Sequence, residues 1–339
     1  MTRGRLLIAL AVVVAAVIYV ALVGGAPAYR NPVLANDAPD PSVIRAPDGP
    51  YFAYTTQAYF GAQFVNLPIL RSADLVSWEL VGDAFPQNPE WAVGSPGDMW
   101  APHMSAWEDG TYRLYFSAAR RDGGEMAIGV ASAQSPTGPF VDSGGPIVTG
   151  TTFSAIDPFV LDADGTRYLY WGSAGQPISA QELSADGLSL VGEPVEVLWR
   201  SADPYEGLIE GAWVTMHDDM YYLIYSGDAC CGPEAHYALM VARSASPFGP
   251  YTRSPDNPIL VANDQFNAPG HHAAIEGPDG SDWVLYHAMI RPETSVRSLM
   301  LDRIDWVDGW PVINGGNGPS TCSPSAPHGP PLPRLPCGD

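Results

Sequence analysis

Three acidic residues occupy matching places in the sequence, and together they could carry out acid–base chemistry. Asp40, Asp157 and Glu210 lie in the segments DAPDPSV, AIDPFV and LIEGAWV, each seven or eight residues before an aspartate in a turn-like segment. An aspartate beside proline or glycine is commonly only a turn residue, but three equivalent positions favour a shared site. Like charges brought together raise the pKa of at least one carboxyl group, as a general acid at neutral pH requires.

Two further residues hold the same place in the remaining segments. Trp100, in MWAPHMS, lies nine residues before the next turn aspartate, and His271, in APGHHAA, lies eight residues before its own. Beside carboxylates, Trp100 would stack against the apolar face of a sugar ring. His103, His271 and His272 are either structural or functional. Adjacent strand residues point to opposite faces, so only one of His271 and His272 can face the site, and the spacing favours His271.

The elements that must position these residues recur five times. The repeats are PDGPYFAYTT, EDGTYRLYFSA, ADGTRYLYWGS, HDDMYYLIYSG and PDGSDWVLYHA, with turn aspartates 61, 55, 54 and 61 residues apart. The turns predict hairpins and the alternating runs predict β-strands, with a second hairpin in each unit. Four strands per unit predict an all-β fold, a five-bladed β-propeller, with a pair of β-sandwiches as the alternative. The turn aspartates are Asp48, Asp109, Asp164, Asp218 and Asp279.

The first strand of each predicted blade should bring the candidate residues together. First strands of propeller blades line the central channel, so residues at equivalent places in them converge around the axis. We therefore expect one pocket ringed by two aspartates, a glutamate, a tryptophan and a histidine. These are Asp40, Asp157, Glu210, Trp100 and His271.

Composition excludes several classes of function. The 339 residues carry a formal net charge of −21, so binding to nucleic acid or anionic lipid is not expected. All 16 basic residues are arginine, and without lysine the chain cannot be a Schiff-base enzyme or carry a Walker A phosphate loop. The chemistry must therefore use carboxylates, histidines or a metal.

Both ends of the chain are predicted to lie outside the catalytic domain. Arg3 and Arg5 precede an apolar run at residues 6–23 and a small-residue stretch ending at Ala28. This pattern predicts a secretory signal cleaved near Ala28 or, alternatively, a retained membrane anchor. Either alternative exports the rest of the chain and limits membrane contact to this segment. We expect the propeller at 29–319 and a proline-rich tail at 320–339.

The four cysteines suit an oxidising compartment. Pairing of Cys322 with Cys337 would close a loop in the tail, worth on the order of 3 kcal/mol in the chain-entropy model. Cys230 and Cys231 are adjacent, and no second cysteine pair or histidine cluster accompanies them as a metal site would require. We expect them to form a vicinal disulfide or to remain two separate thiols.

The motifs that carry the candidate residues resemble those of glycoside hydrolase family 43, which includes arabinanases, arabinofuranosidases and β-xylosidases. DAPDPSV, WAPHM, IDPFV, IEGAWV and PGHHA occur in that order and at blade spacing. The resemblance implies a five-bladed propeller that inverts the anomeric centre. Asp40 would be the general base, Glu210 the general acid, and Asp157 the residue that orients the acid and tunes its pKa. Glu206, four residues before Glu210, is a rival for the acid.

The resemblance also implies a substrate and a cation. SGDACCGPEAHYALMVARS and RSLMLDRIDWVDGWPVINGG are similar to segments of arabinan-active members. We therefore expect hydrolysis of α-L-arabinofuranosidic bonds first, and of β-xylosides or other furanosides second. Trp100, His103 and Trp213 are predicted to contact the poly- or oligosaccharide, and the protein to be a monomer. A calcium or other cation on the propeller axis would use His271 or His272.

Two points weigh on this interpretation. The usual G-P-G-H-H is A-P-G-H-H here, with Ala268 in place of glycine, which would alter the local backbone. The alternative from another class of function is a catalytically inert sugar-binding propeller. It is disfavoured because all three carboxylates are present.

Overall fold

A computed structural model describes residues 29–47, 49–292 and 295–323 of the chain. The predicted signal or anchor at 1–28, the turn residue Asp48 and most of the predicted tail, including Cys337, lie outside the described residues. Over those ranges the fold is all-β, with no α-helix and one 3-10 turn at Asn314–Gly316. No helix in the described part is long and apolar enough to cross a membrane.

Five antiparallel sheets form the five blades of a β-propeller, so the predicted fold is confirmed. Two short strands precede the first blade, β1 (Tyr29–Arg30) and β2 (Leu34–Asp37). Blade one then follows, with a small hairpin between its second and third strands: β3 (Ser42–Arg45), β4 (Tyr51–Tyr54), β5 (Ala58–Phe60), β6 (Gln63–Val65), β7 (Pro68–Ser72) and β8 (Glu79–Asp83). That hairpin is β5 paired with β6.

Blades two and three repeat the same meander. Blade two has a fifth, short strand beside its third: β9 (Met99–Ala106), β10 (Tyr112–Ala119), β11 (Met126–Ala133), β12 (Val141–Asp142) and β13 (Val148–Thr149). Blade three has four strands: β14 (Phe159–Ala163), β15 (Thr166–Trp171), β16 (Ile178–Leu183) and β17 (Leu190–Leu198).

Blades four and five complete the ring. Blade four has four strands: β18 (Ile209–His217), β19 (Met220–Ala229), β20 (His236–Ser244) and β21 (Thr252–Arg253). The strands that follow are β22 (Phe266–Glu276), β23 (Asp282–Ile290), β24 (Arg297–Val307), β25 (Trp310–Ile313) and β26 (Cys322–Ser323). Blade five has the order β2-β24-β23-β22, so a strand from the start of the chain closes the last blade. A second pair, β1 with β26, joins the two ends of the described chain.

The hydrophobic core lies between the blades rather than within them. Five large clusters of buried side chains each join two neighbouring blades. Alternation along the strands explains this, because successive side chains of a β-strand point to opposite faces of its sheet. In β19, Tyr221 and Leu223 pack toward blade three, whereas Tyr222 and Ile224 pack toward blade five. The aromatic repeats in the sequence are therefore the contacts that hold the ring together.

Candidate active site

Each blade has a left-handed residue at or just before its innermost strand. In blades two, four and five the pairing of the inner strand shifts register at the same place, which marks a β-bulge. A positive φ costs a non-glycine residue about 1–2 kcal/mol and is typical of functional sites. These bends direct one side chain per blade toward a common pocket. The left-handed residues are Asp40 (φ 55°), Ala101 (43°), Asp157 (59°), Gly211 (60°) and His271 (42°).

A cavity of about 480 Å³ opens at this end of the inner strands. All five residues that the repeat spacing selects line it, so the predicted convergence is what the structure shows. The remaining lining comes mainly from loops between strands and between blades. The full lining is Asp40, Thr56, Gln57, Asp98, Trp100, Phe153, Ile156, Asp157, Glu210, Cys230, Cys231, His271 and Arg297.

Asp40 is held as a carboxylate by a cation. Nη1 of Arg297 lies 3.1 Å from its Oδ1, and the Thr56 hydroxyl donates a 2.6 Å hydrogen bond to its Oδ2. Burial by itself raises the pKa of Asp40, but the charge of Arg297, together with the adjacent rings of His271 and His287, outweighs it and holds that pKa well below its usual range. Asp40 is therefore ionised and able to accept a proton at neutral pH.

Glu210 and Asp157 have the opposite environment. The hydroxyls of Ser173 and Tyr237 both donate to Glu210, the latter to Oε1 over 2.8 Å, and the amide of Gly211 donates to Oδ2 of Asp157 over 2.9 Å. Burial raises the pKa of Glu210 despite the two hydroxyls. Burial, together with the charges of Glu210 and Asp40, raises the pKa of Asp157 well above its usual range. This pair therefore retains a proton in conditions where Asp40 has lost its own.

His271 lies between the two aspartates. Its Nδ1 is 3.5 Å from Oδ1 of Asp40 and 3.6 Å from Oδ2 of Asp157. Burial lowers the pKa of His271 to about 4, so the ring is neutral near pH 7. His272 does not line the cavity but is buried against Trp213, which confirms that His271 is the one that faces the site.

His103 and Trp213, which were predicted to contact the substrate, lie away from the cavity. Neither residue lines the cavity. Both lie three residues further along the inner strands than the pocket residues Trp100 and Glu210, and their rings meet with centroids 5.4 Å apart. With Phe159 and His272 they form an axial layer on the far side of the pocket residues, and burial lowers the pKa of His103 to about 3. Their role is packing along the axis; Trp100 alone of the three faces the cavity.

The rival glutamate is placed elsewhere. Glu206 is 1% exposed and does not line the cavity. Nε and Nη2 of Arg253 lie 2.8 Å and 2.7 Å from its two carboxylate oxygens, and the Tyr225 hydroxyl and the Ser201 amide also donate to it. These contacts outweigh burial and lower the pKa of Glu206. Glu206 is therefore part of a structural ion pair, and Glu210 is the glutamate at the pocket.

Several residues at the site were not selected from the sequence. Arg297 stands in the segment that begins RSLMLD, which already resembled the family, so a signal for it was present. Tyr237 and Ser173 carried no signal that would connect them with Glu210. Cys230 and Cys231 form the predicted vicinal disulfide, and their position in the cavity wall is new.

The calcium or other cation on the axis, with His271 or His272 and waters as its ligands, stays a prediction. Calcium takes six to eight oxygen ligands in proteins, and the described ranges contain no group of three histidine, cysteine or acidic residues that could hold a metal ion. Both ring nitrogens of His272 are buried without a hydrogen-bond partner. No step of the chemistry below is routed through a cation.

Comparisons with known proteins agree with this geometry. The sequence model described as glycosyl hydrolases family 43 matches residues 29–311. A xylan 1,3-beta-xylosidase of Vibrio sp is 31% identical over 86% of this chain, and an extracellular endo-alpha-(1->5)-L-arabinanase of Bacillus subtilis is 28% identical over 73% of it. This chain spans 58% of the first relative and 79% of the second. The crystal structure of a thermostable family-43 glycoside hydrolase matches 91% of this chain and 99% of its own, with a TM-score of 0.73 at 29% identity.

Proposed function

The chain belongs to glycoside hydrolase family 43, and from this premise we propose that it is an inverting glycosidase acting on α-L-arabinofuranosidic bonds of arabinan or arabinose-substituted polysaccharide. The observation that carries the proposal is the contrast between two carboxyl groups in one cavity: Asp40 is paired with Arg297, whereas Glu210 is buried against two hydroxyl groups. The charge of Arg297 helps to hold the pKa of Asp40 low, whereas burial raises the pKa of Glu210, and burial with the charges of Glu210 and Asp40 raises that of Asp157. Titratable groups pushed in opposite directions are the usual signature of an acid and a base.

The chemistry assigned to each carboxyl group follows from that difference. Glu210 protonates the oxygen of the leaving sugar as the glycosidic bond breaks. Asp40 takes a proton from a water molecule, and the water oxygen bonds to the anomeric carbon from the opposite face. Asp157 stays close to Glu210, where its own charge would disfavour ionisation of the acid. Inversion requires roughly 6.5–9.5 Å between the acid and base carboxyl groups, which leaves room for the water.

Arabinofuranosides are favoured over xylosides by two observations. The arabinanase relative is matched over 79% of its length by this chain, whereas the β-xylosidase relative is matched over only 58%. The segment with the vicinal cysteines, which resembles arabinan-active proteins, also contributes to the cavity wall. β-Xylosides remain the second candidate, because that relative is the more similar in sequence at 31% identity.

The apolar part of the cavity suits a sugar ring. Trp100, Phe153 and Ile156 lie on the side formed by blades two and three, and the disulfide of Cys230 and Cys231 lies in blade four. Sugar rings present apolar C–H faces that pack against such surfaces, while the carboxylates and Arg297 can take hydroxyl groups. Export is part of the proposal: an extracellular relative and the charged, then apolar, start of the sequence support it.

The test is NMR of the sugar first released from aryl α-L-arabinofuranoside, aryl β-xyloside and linear arabinan. We expect arabinose with inverted configuration from the wild type and none from Glu210→Gln. Retained configuration would refute the mechanism, and release of xylose alone would refute the substrate. No turnover of any of the three, with sugar binding intact by calorimetry, would favour the inert sugar-binding propeller instead.

A further inference from the structure

Within or just after the second strand of every blade, a polar residue stands at nearly the same distance from the turn. In four blades this residue is a serine or threonine, and in blade five it is a histidine. Each lies eight residues after the turn aspartate, or nine in blade three. The five residues are Thr56, Ser117, Ser173, Ser226 and His287.

These five polar residues hold the inner strand of the following blade at its pocket residue or at the next residue. Thr56 accepts the amide of Ala101 over 2.7 Å, Ser117 that of Asp157 over 3.1 Å, and Ser226 that of His271 over 2.9 Å. Ser173 instead donates to the side chain of Glu210. Where the ring closes from blade five to blade one, Nδ1 of His287 accepts the amide of Asp40 over 3.2 Å. His287 therefore performs for Asp40 the task that a small hydroxyl performs elsewhere.

His287 has one capability that a hydroxyl lacks. It is fully buried, and its ring is parallel to the ring of Tyr237, with an interplanar angle of 8° and centroids 5.8 Å apart. The hydroxyl of Tyr237 donates to Oε1 of Glu210. Nδ1 of His287 also lies 3.2 Å from Oδ1 of Asp40. Burial lowers the pKa of His287, so the neutral ring acts here through shape and hydrogen bonding.

The sheet of blade five leaves room for this contact. Gly270 is directly opposite His287 in the pairing of β22 with β23. A Cβ atom at Gly270 would lie 2.1 Å from Cδ1 of Tyr237. The Tyr237 ring from blade four is thus seated against blade five at the paired positions Gly270 and His287, and any larger residue at position 270 would displace it.

We propose that His287 is a positioning residue that ties the two catalytic carboxyl groups together, holding Asp40 through its Nδ1 edge and Glu210 through the ring of Tyr237. The inference rests on the proposed function, in which Asp40 is the base and Glu210 the acid. One side chain, in the blade where the propeller closes, then sets the geometry of both partners.

The dependence of kcat on the leaving group distinguishes the two contacts of His287. We call its contact with Asp40 the base arm, and its contact with Glu210 through Tyr237 the acid arm. From a 2,4-dinitrophenyl glycoside, the dinitrophenolate leaves without help from an acid. From a phenyl glycoside, the leaving oxygen needs protonation by Glu210. A defect in the acid arm therefore slows the phenyl substrate alone. A defect in the base arm slows both substrates, because activation of water is needed in either case. Both probes would be α-L-arabinofuranosides.

His287→Ser restores the residue type of the other blades, retaining an acceptor for the Asp40 amide while removing the ring beside Tyr237. We expect kcat on the phenyl substrate to fall about 10- to 100-fold, as for a lost hydrogen bond to the carboxylate that Glu210 becomes when it gives up its proton, with kcat on the dinitrophenyl substrate near that of wild type. Tyr237→Phe is the matched control for the acid arm and should show the same pattern. His287→Phe keeps a ring but loses the acceptor, and should slow both substrates by similar factors.

Two results would overturn the inference: equal slowing of both substrates by His287→Ser, or no slowing of either. If His287→Ser does not fold, as judged by its unfolding midpoint, His287→Gln offers an acceptor of closer volume, and Gly270→Ala displaces Tyr237 from the opposite side. Both should reproduce the acid-arm pattern. A wild type that releases phenol from neither probe would refute the proposed function, whereas an active wild type without the split would refute only the role of His287.

Discussion

The two glutamates of the YEGLIEGAW segment are expected to affect different properties when each is changed to glutamine, one the stability of the fold and the other catalysis. Glu206→Gln should weaken the fold and leave the chemistry intact. Glu210→Gln should abolish turnover of unactivated substrates and leave the fold close to wild type. The structure separates them because Glu206 lies in an ion pair away from the cavity, whereas Glu210 lines it.

The size of the stability loss follows from the contacts of Glu206. Its carboxylate is 1% exposed and accepts from Arg253, Tyr225 and Ser201, so the neutral amide leaves a guanidinium with only part of its partner. Removal of one partner from a buried pair costs about 3–5 kcal/mol. The side chain of Arg253 is 25% exposed and can recover some hydration, which places the cost near the lower limit. We expect a loss of about 3 kcal/mol, or about 5 °C in Tm for a domain of this size.

The loss of stability in Glu206→Gln should also depend on pH, and it should become smaller as the pH falls. Because the folded state lowers the pKa of Glu206, the ion pair contributes its full stability above the unfolded glutamate value of about 4.3 and loses it as pH falls through the folded value. The difference in free energy of unfolding between wild type and Glu206→Gln should therefore be constant near neutrality and shrink below about pH 4. Urea unfolding at several pH values measures it, with kcat/KM on phenyl arabinofuranoside at 25 °C as the parallel assay.

Two outcomes would refute this reasoning. A Glu206→Gln protein with wild-type stability would show that the buried pair contributes nothing. A Glu206→Gln protein that is folded at 25 °C but has lost kcat would make Glu206 the acid, and Glu210→Gln would then retain activity.

Three further predictions concern the cavity and its backbone. Arg297→Gln removes the cation that holds the pKa of Asp40 down, so the acid limb of the kcat/KM profile should move to higher pH; an unmoved limb would show that Arg297 does not control the base. Replacement of Cys230 and Cys231 by serine should raise KM more than it lowers kcat, because the disulfide is part of the cavity wall, and steady-state kinetics on arabinan oligosaccharides would show it. Ala268→Gly should raise the free energy of unfolding by about 1 kcal/mol in urea titration, because Ala268 has a φ of 47°.

The sequence was sufficient to predict the blades and the pocket ring. Turn aspartates at regular spacing locate the second strands, and alternation of large side chains within YYLIY gives each sheet two buried faces. A residue counted back from the turn therefore falls at a fixed height on the inner strand. Asp40, Asp157 and Glu210 were found in this way, although their chemical roles remain proposals.

The contacts between blades were beyond the reach of the same argument. Trp213 stands three residues after Glu210, beyond a bulge in the strand, and its ring packs against His103 while Glu210 lines the cavity. Arg297 lies 257 residues from Asp40 along the chain and meets it only after the ring has closed. Tyr237 reaches Glu210 across its own blade because Gly270 of the next blade leaves space for its ring. Such contacts depend on three-dimensional packing that no periodicity encodes.

The strand pairing that closes the propeller also makes the environment of Asp40 different from that of Glu210. Strand β2 ends three residues before Asp40 and pairs with β24, whose first residue is Arg297. The amide of Arg297 donates to Asp37 over 2.9 Å, and its guanidinium reaches Asp40. The strand pairing that seals the ring therefore also delivers a cation to one of the three carboxyl groups. Glu210, on a blade where no such closure occurs, has hydroxyl donors instead, and burial raises its pKa. Any change that loosens β2 from β24 should release Arg297 from Asp40 and remove the difference between base and acid before the blades themselves come apart.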